Sequence, residues 1–249
     1  MMKTSYAAFF LALNLLFAGS LVHSAQVWDR YNVKVAPGEA HAVLQAFNDL
    51  QMSEAGSNRM ASVHLQQSIF GGSSGTTHFI VALYPSRAEF ERARKARWHQ
   101  SLEKFQTAMS TNSESVNNSA MATLMGWGTD SNNDRVWEAI RVNVTNPGGV
   151  FAAFNAIMDS KSAEAFPGEV WLSAIRCGNA ADGDVLTHVI TVGYESMAEM
   201  QAWNHQIRKT QAWADFGSAL QGNMRTVNRE LVQFLSVFDH QVSLENLKQ

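Results

Sequence analysis

Apolar and polar positions along this chain fall into strand-like and helix-like periods, and the same succession occurs twice. From Val27 to Val35 the residues alternate, with Tyr31, Val33 and Val35 on one side and Trp28, Arg30, Asn32 and Lys34 on the other. A period of two predicts a strand. Ile140, Val142 and Val144 oppose Trp137, Arg141 and Asn143 in the same way. Pro37-Gly38 and Pro147-Gly148 end these strands and open helices, whose apolar stripes are Val43, Ala46, Phe47 and Leu50, then Phe151, Phe154, Ile157 and Met158. Second strands carry Val63, Leu65 and Ile69, and Val170, Leu172 and Ala174. Third strands are expected at Phe79 to Tyr84 and Val189 to Tyr194. Ser86-x-x-Glu89 and Ser196-x-x-Glu199 are capping boxes that start the second helices, each contributing about 1 kcal/mol. Phe90, Ala93, Leu102 and Phe105 form the inner stripe of one, Met200, Trp203, Ile207, Phe216 and Leu220 that of the other. Ser110 to Asn118 reads as a surface loop, and closing strands are expected at Ala120 to Trp127 and Leu231 to Phe238.

The two halves match in letters as well as in pattern. Thr77-His78, Tyr84, Ser86 and Glu89 recur as Thr187-His188, Tyr194, Ser196 and Glu199, each 110 positions on. A repeat of about 105 residues has the size of a small domain rather than a solenoid unit. Strand-helix-strand-strand-helix-strand is the ferredoxin-like arrangement, which leaves one sheet face uncovered. That face, taken to bear Ile80 and Ala82, or Ile190 and Val192, would be sticky in water. Stacking the two sheets removes the hazard. The fold expected is α+β, with two tandem βαββαβ repeats, residues 26–128 and 129–249, packed as a pseudo-dimeric α/β barrel.

Residues 1–25 read as a signal peptide: Lys3, an apolar run from Tyr6 to Ala18 broken by Asn14, then small residues around Ser24 and Ala25. A retained anchor needs about 20 apolar residues, and this run is shorter. An exported protein, periplasmic or secreted, without a stable membrane anchor is expected. Net charge is −3, which offers no electrostatic case for nucleic acid. Cys177 is the sole cysteine, so no intramolecular disulfide can form, and a buried, inert thiol is expected. No Cys/His cluster has metal-ligand spacing.

Val192-Gly193-Tyr194-Glu195-Ser196-Met197-Ala198-Glu199-Met200-Gln201-Ala202-Trp203-Asn204-His205 resembles the third strand and second helix of antibiotic-biosynthesis-monooxygenase-like domains in the dimeric α/β-barrel superfamily. The resemblance implies a small hydrophobic or aromatic ligand and, if chemistry is present, cofactor-independent oxygenation or haem binding and degradation. No cofactor is required by it; haem is an option. It also leaves room for a homo-oligomer. The first repeat departs from the pattern, since Lys95 stands where the second has His205.

His78 and His188 start the third strands, where an imidazole can serve as a general base or a haem ligand, or bond a neighbouring carbonyl at the barrel end. His205 is either a haem-site histidine, with Trp203 and Ile207 as apolar surface and Arg208 as a basic group for propionates, or part of an ordinary solvated face with Lys209. Trp28, Arg30 and Asn32, with Trp137, Arg141 and Asn143, place polar groups on a sheet face that must be buried. They either line a ligand cavity between or beside the sheets, or lie near the barrel rim, or pair with neighbours such as Asp29 and Glu138. A non-catalytic exported binding or assembly module is the alternative, favoured by a filled interior.

Overall fold

The computed structural model describes residues 26–71, 75–95, 100–128, 133–178, 180–181 and 184–240. The expected signal segment lies outside the described residues. In the first repeat β1 (Val27–Val35) leads through α1 (Ala40–Met52) and the short α2 (Glu54–Ser57) to β2 (Ala61–Gly71) and β3 (His78–Tyr84). Then come α3 (Arg87–Lys95), α4 (Gln100–Asn112) and β4 (Ser113–Gly128). The second repeat has β5 (Val136–Val144), α5 (Pro147–Met158), β6 (Glu169–Cys177) and a small ribbon, β7 (Ala180–Ala181) with β8 (Asp184–Val185). It ends with β9 (His188–Tyr194), α6 (Met197–Ile207), α7 (Gln211–Leu220) and β10 (Met224–His240).

Eight antiparallel strands close into one barrel in the order β1-β3-β2-β10-β5-β9-β6-β4. Each repeat supplies four, and the long closing strands join the halves. β4 pairs with β1 of its own repeat and β6 of the other, while β10 pairs with β5 and β2. Register shifts such as those between Thr123 and Met125 and between Phe234 and Ser236 bend these two strands around the corner. Closure leaves no open edge in the barrel sheet, and eight strands enclose a space that side chains can fill.

Three apolar layers result. The barrel interior holds Trp28, Phe79, Val81, Leu83, Met121, Trp137, Trp171, Val189 and Val232. Outside it, Val43 and Phe47 of α1 pack on Val33, Val63, Ala82 and Tyr84. Val150 and Phe154 of α5 pack on Val142, Leu172, Ile190 and Tyr194. The face bearing Ile80, Ala82, Ile190 and Val192 therefore meets the helices, not the opposite sheet. β3 is apolar on both sides, so periodicity alone could not orient it.

Three further expectations change. Ser110 to Asn118 is not a loop: α4 runs to Asn112 and β4 starts at Ser113, with Asn117 and Asn118 opposite Asn32 and Tyr31. Ladder bonds are made by backbone, so a polar segment serves when its partner strand is in place. The second helices are each two segments; in the second repeat Thr210 caps a new start, accepting from the Trp213 N–H at 3.2 Å. Cys177 is exposed, at the last residue of β6. The capping serines do cap, accepting from the N–H of Glu89 and Glu199 at 3.3 and 3.2 Å.

Candidate ligand cleft

The barrel interior is occupied by the chain itself. Alternation directs Trp28, Arg30 and Asn32 of β1 and Trp137, Arg141 and Asn143 of β5 inward, and all but the half-buried Asn143 are buried. Arg30 and Arg141 both donate to Oε2 of Glu230 on β10, the latter at 3.3 Å. Arg30 also lies over the Phe79 ring, 3.9 Å from its centroid. Trp28 Nε1 donates to Ser173 Oγ across the barrel at 3.1 Å, and Asn32 Nδ2 donates to Asn117 Oδ1 at 2.6 Å. Trp137 stacks on Phe234, with centroids 6.0 Å apart and planes within 3°. The void left among them is about 50 Å³, room for a water or two and not for an organic ligand. The two arginines occupy non-equivalent places: pairing opposes Arg30 to Val81 of β3, whereas Arg141 stands opposite Val189 of β9, the partner of Phe79 in the repeat.

Space for a ligand lies on the other side of the sheet. In the second repeat a cleft of about 640 Å³ opens between the outer face of β5 and β9 and the helices α5 to α7. Its floor is Ile140, Ile190 and Val192, and its walls are Phe154, Phe166, Trp203, Trp213 and Phe216. A polar group of four residues interrupts this apolar lining: Glu138, Tyr194, Asn204 and Arg208, with Arg229 beside them. Arg229 Nη1 donates to Glu138 Oε1 at 3.4 Å. Burial pushes the Tyr194 phenol well above its ordinary range, with Glu138 adding to the effect, while Asn204 hydrogen-bonds it. Tyr194 is thus held as a neutral hydroxyl.

The first repeat carries a corresponding cleft of about 510 Å³ over Ile80 and Ala82. Asp29, Tyr84, Arg94 and Arg59 line it. Burial raises the Asp29 carboxyl, opposed by the neighbouring Arg94. Arg94 Nη1 is 3.9 Å from Asp29 Oδ2 and donates to Tyr31 Oη at 2.6 Å. Asp29 and Glu138 each follow the strand-opening tryptophan, and Tyr84 and Tyr194 each end a third strand. This paired acid and tyrosine was readable as a repeat feature, yet the face it serves was not.

Of the sequence candidates, only Trp203 lines a large cleft. His205 is exposed on α6, with Nε2 2.6 Å from Lys209 Nζ. His78 and His188 sit at the barrel end, each with Nδ1 2.9 Å from the hydroxyl of the preceding threonine. Those threonines in turn accept from Val35 N and Val144 N at 2.8 and 2.7 Å, a stitch repeated in both halves. Burial lowers the pKa of both histidines.

No family model and no curated protein matches this chain. Solved structures do. A candidate monooxygenase from Fusobacterium nucleatum superimposes with a TM-score of 0.62 at 14% identity, covering 87% of this chain and 95% of its own. A candidate monooxygenase from Lactobacillus acidophilus gives 0.57 at 8% identity, covering 88% and 98%. A haem-binding protein from Thermus thermophilus gives 0.50 at 11% identity, covering 85% and 92%. The chain has the dimeric α/β-barrel fold, with both halves of the barrel on one polypeptide.

Proposed function

We propose that this is an exported small-molecule-binding protein that takes a hydrophobic, aromatic ligand in the sheet–helix cleft of its second repeat. The observation that carries the reading is the cleft itself: about 640 Å³, walled by aromatic rings and carrying Glu138, Tyr194, Asn204 and Arg208 together with Arg229, a volume typical of ligand sites. Export is supported by the signal-like residues 1–25 and by the start of β1 at Val27, just past the expected cleavage point. The fold shared with candidate monooxygenases supports oxygenase-like chemistry without deciding it. In such chemistry the neutral Tyr194 hydroxyl would donate a hydrogen bond to a ligand oxygen, and Glu138 would accept one from a ligand hydroxyl. Self-association remains compatible with this reading.

Haem fits this lining poorly. An axial position needs an imidazole, a thiolate, a thioether paired with a histidine, or a tyrosinate. No histidine or cysteine lines either cleft among the described residues, and Tyr194 is held protonated. The ligand is therefore taken to bind without haem.

The filled barrel interior favours a second reading, a non-catalytic exported binding or assembly module. One experiment separates the two. Purified protein is titrated with naphthols, quinols and anthrones, following tryptophan emission and thermal stability, with oxygen consumption measured in parallel. Saturable quenching of Trp203 and Trp213 together with oxygen uptake supports an oxygenase. Quenching alone supports a binding protein. Flat titrations and an unchanged melting profile leave the assembly module.

A further inference from the structure

The charges around the second-repeat cleft are unbalanced. Among the described residues Glu138 is the one carboxylate on its lining, whereas Arg208 and Arg229 bring two guanidiniums. Arg229 engages Glu138. Arg208, exposed at the C-terminal end of α6, makes no ion pair among the described residues. The cleft therefore carries one cation in excess, next to a predominantly apolar body. The first-repeat cleft has the same charge complement, Asp29 against Arg59 and Arg94, with Tyr31 and Tyr84 beside them. Its cations do not come from corresponding positions, since Arg94 stands at the offset of Asn204. The same balance of one carboxylate to two guanidiniums is thus reached from different residues.

We infer that the second-repeat cleft selects a monoanionic aromatic amphiphile, its ring system among Phe154, Trp203 and Phe216 and its single negative head group between Arg208 and Arg229. This rests on the small-molecule reading above and adds the charge and orientation of the ligand. A guanidinium offers paired donors to a carboxylate and a strong point of attraction to a phenolate or enolate. At a solvated mouth the attraction is modest and screened by salt, so the head group orients and selects while the rings supply most of the affinity.

Full-length mature protein is titrated with 2-naphthoate, its neutral isostere 2-naphthamide and the cation 2-naphthylmethylammonium, following tryptophan emission. The naphtholate of 2,4-dinitro-1-naphthol is a further arm that distinguishes a phenolate from a carboxylate preference. Naphthoate is expected to bind about tenfold more tightly than the amide at low salt and to lose that advantage at high salt. Arg208→Gln and Arg229→Gln are each expected to weaken the anion severalfold and leave the amide unchanged. Equal binding of naphthoate and naphthamide, or Arg variants that weaken both alike, overturns the inference while leaving the small-molecule reading intact. Binding by none of the probes overturns both.

Discussion

Arg30 and Glu230, 200 positions apart in the chain, form an ion pair inside the barrel. Their side chains are 5% and 0% exposed. Arg30 comes from the first strand of one repeat and Glu230 from the last strand of the other, so the pair forms only when the barrel closes. Arg141 shares the same carboxylate oxygen. Glu230→Gln would remove the buried carboxylate charge that Arg30 and Arg141 share. Removing one partner of a buried pair typically costs about 3–5 kcal/mol, on the order of 10 °C in Tm for a chain of this size. Replacing all three residues by methionine should recover most of that loss, because apolar packing serves a buried site as well as ions do. Thermal unfolding of the two variants checks both statements.

Inside the same barrel His64 is buried against Phe234, with ring centroids 4.7 Å apart. Its Nε2 is 2.7 Å from Ser62 Oγ, which bonds Asp239 Oδ1 at 2.5 Å. Burial first, and the charge on Arg135 second, lower its pKa from 6.5 to about 3. The unfolded chain therefore binds a proton at this residue between pH 6.5 and 3 that the folded chain refuses. Stability is full above pH 6.5 and declines as pH falls through that window, by about 5 kcal/mol in all at 1.36 kcal/mol per unit. His64→Gln should flatten this acid limb while leaving stability near neutrality the less affected quantity. Urea unfolding at several pH values within the window measures it. An acid limb as steep in the variant as in the parent would assign the loss to other groups.

The repeat was plain in the letters, and with it the order of elements. β1 runs from Val27 to Val35 and β9 ends at Tyr194, as the alternation indicates. Failures cluster where tertiary packing decides. β3 is apolar on both faces, so its inner residues Phe79, Val81 and Leu83 could not be told from its outer ones. The stripe of Trp203, Ile207 and Phe216 continues past the break at Thr210 because both segments face the same sheet. Trp28, Arg30 and Arg141 announced a buried polar face correctly, but only the position of Glu230 shows where the chain supplies the arginines' counter-charge. The cleft has no motif: it is the gap between helices and sheet. Asp29 with Tyr84 and Glu138 with Tyr194 were its one signature in the sequence, legible as a repeated pair though not as a site.

Gly193 permits a close approach that no larger residue would. A Cβ there would stand 2.3 Å from Asp134 Oδ2 and 2.8 Å from Trp137 Cζ2, both belonging to buried residues. Gly193→Ala should destabilise by about 1–3 kcal/mol, as overpacking of a filled core does. The same shift should disturb the stacking of Trp137 on Phe234 and so alter the near-ultraviolet circular dichroism. Gly217, where a Cβ would meet nothing within 4 Å, is the matched control. Gly217→Ala should be neutral or stabilise by about 0.5–1 kcal/mol through helix propensity.

Val192 lies on the floor of the second-repeat cleft, half-buried and facing the helices. A strand side chain stands roughly perpendicular to its sheet, so Val192→Phe directs the added ring into the cleft rather than into the barrel. Because that space is open, stability should change by less than about 1.5 kcal/mol, as for tolerated hydrophobic replacements. An aromatic ligand seated among Phe154, Trp203 and Phe216 would lose the volume the new ring takes, and its affinity should fall by about tenfold or more, the value of 1.4 kcal/mol. The corresponding substitution Ala82→Phe, over the first-repeat cleft, tests which cleft is in use. Titration of both variants with the same naphthalene probe reads this directly: lost affinity in Val192→Phe with unchanged affinity in Ala82→Phe assigns the ligand to the second repeat. The reverse pattern moves it to the first.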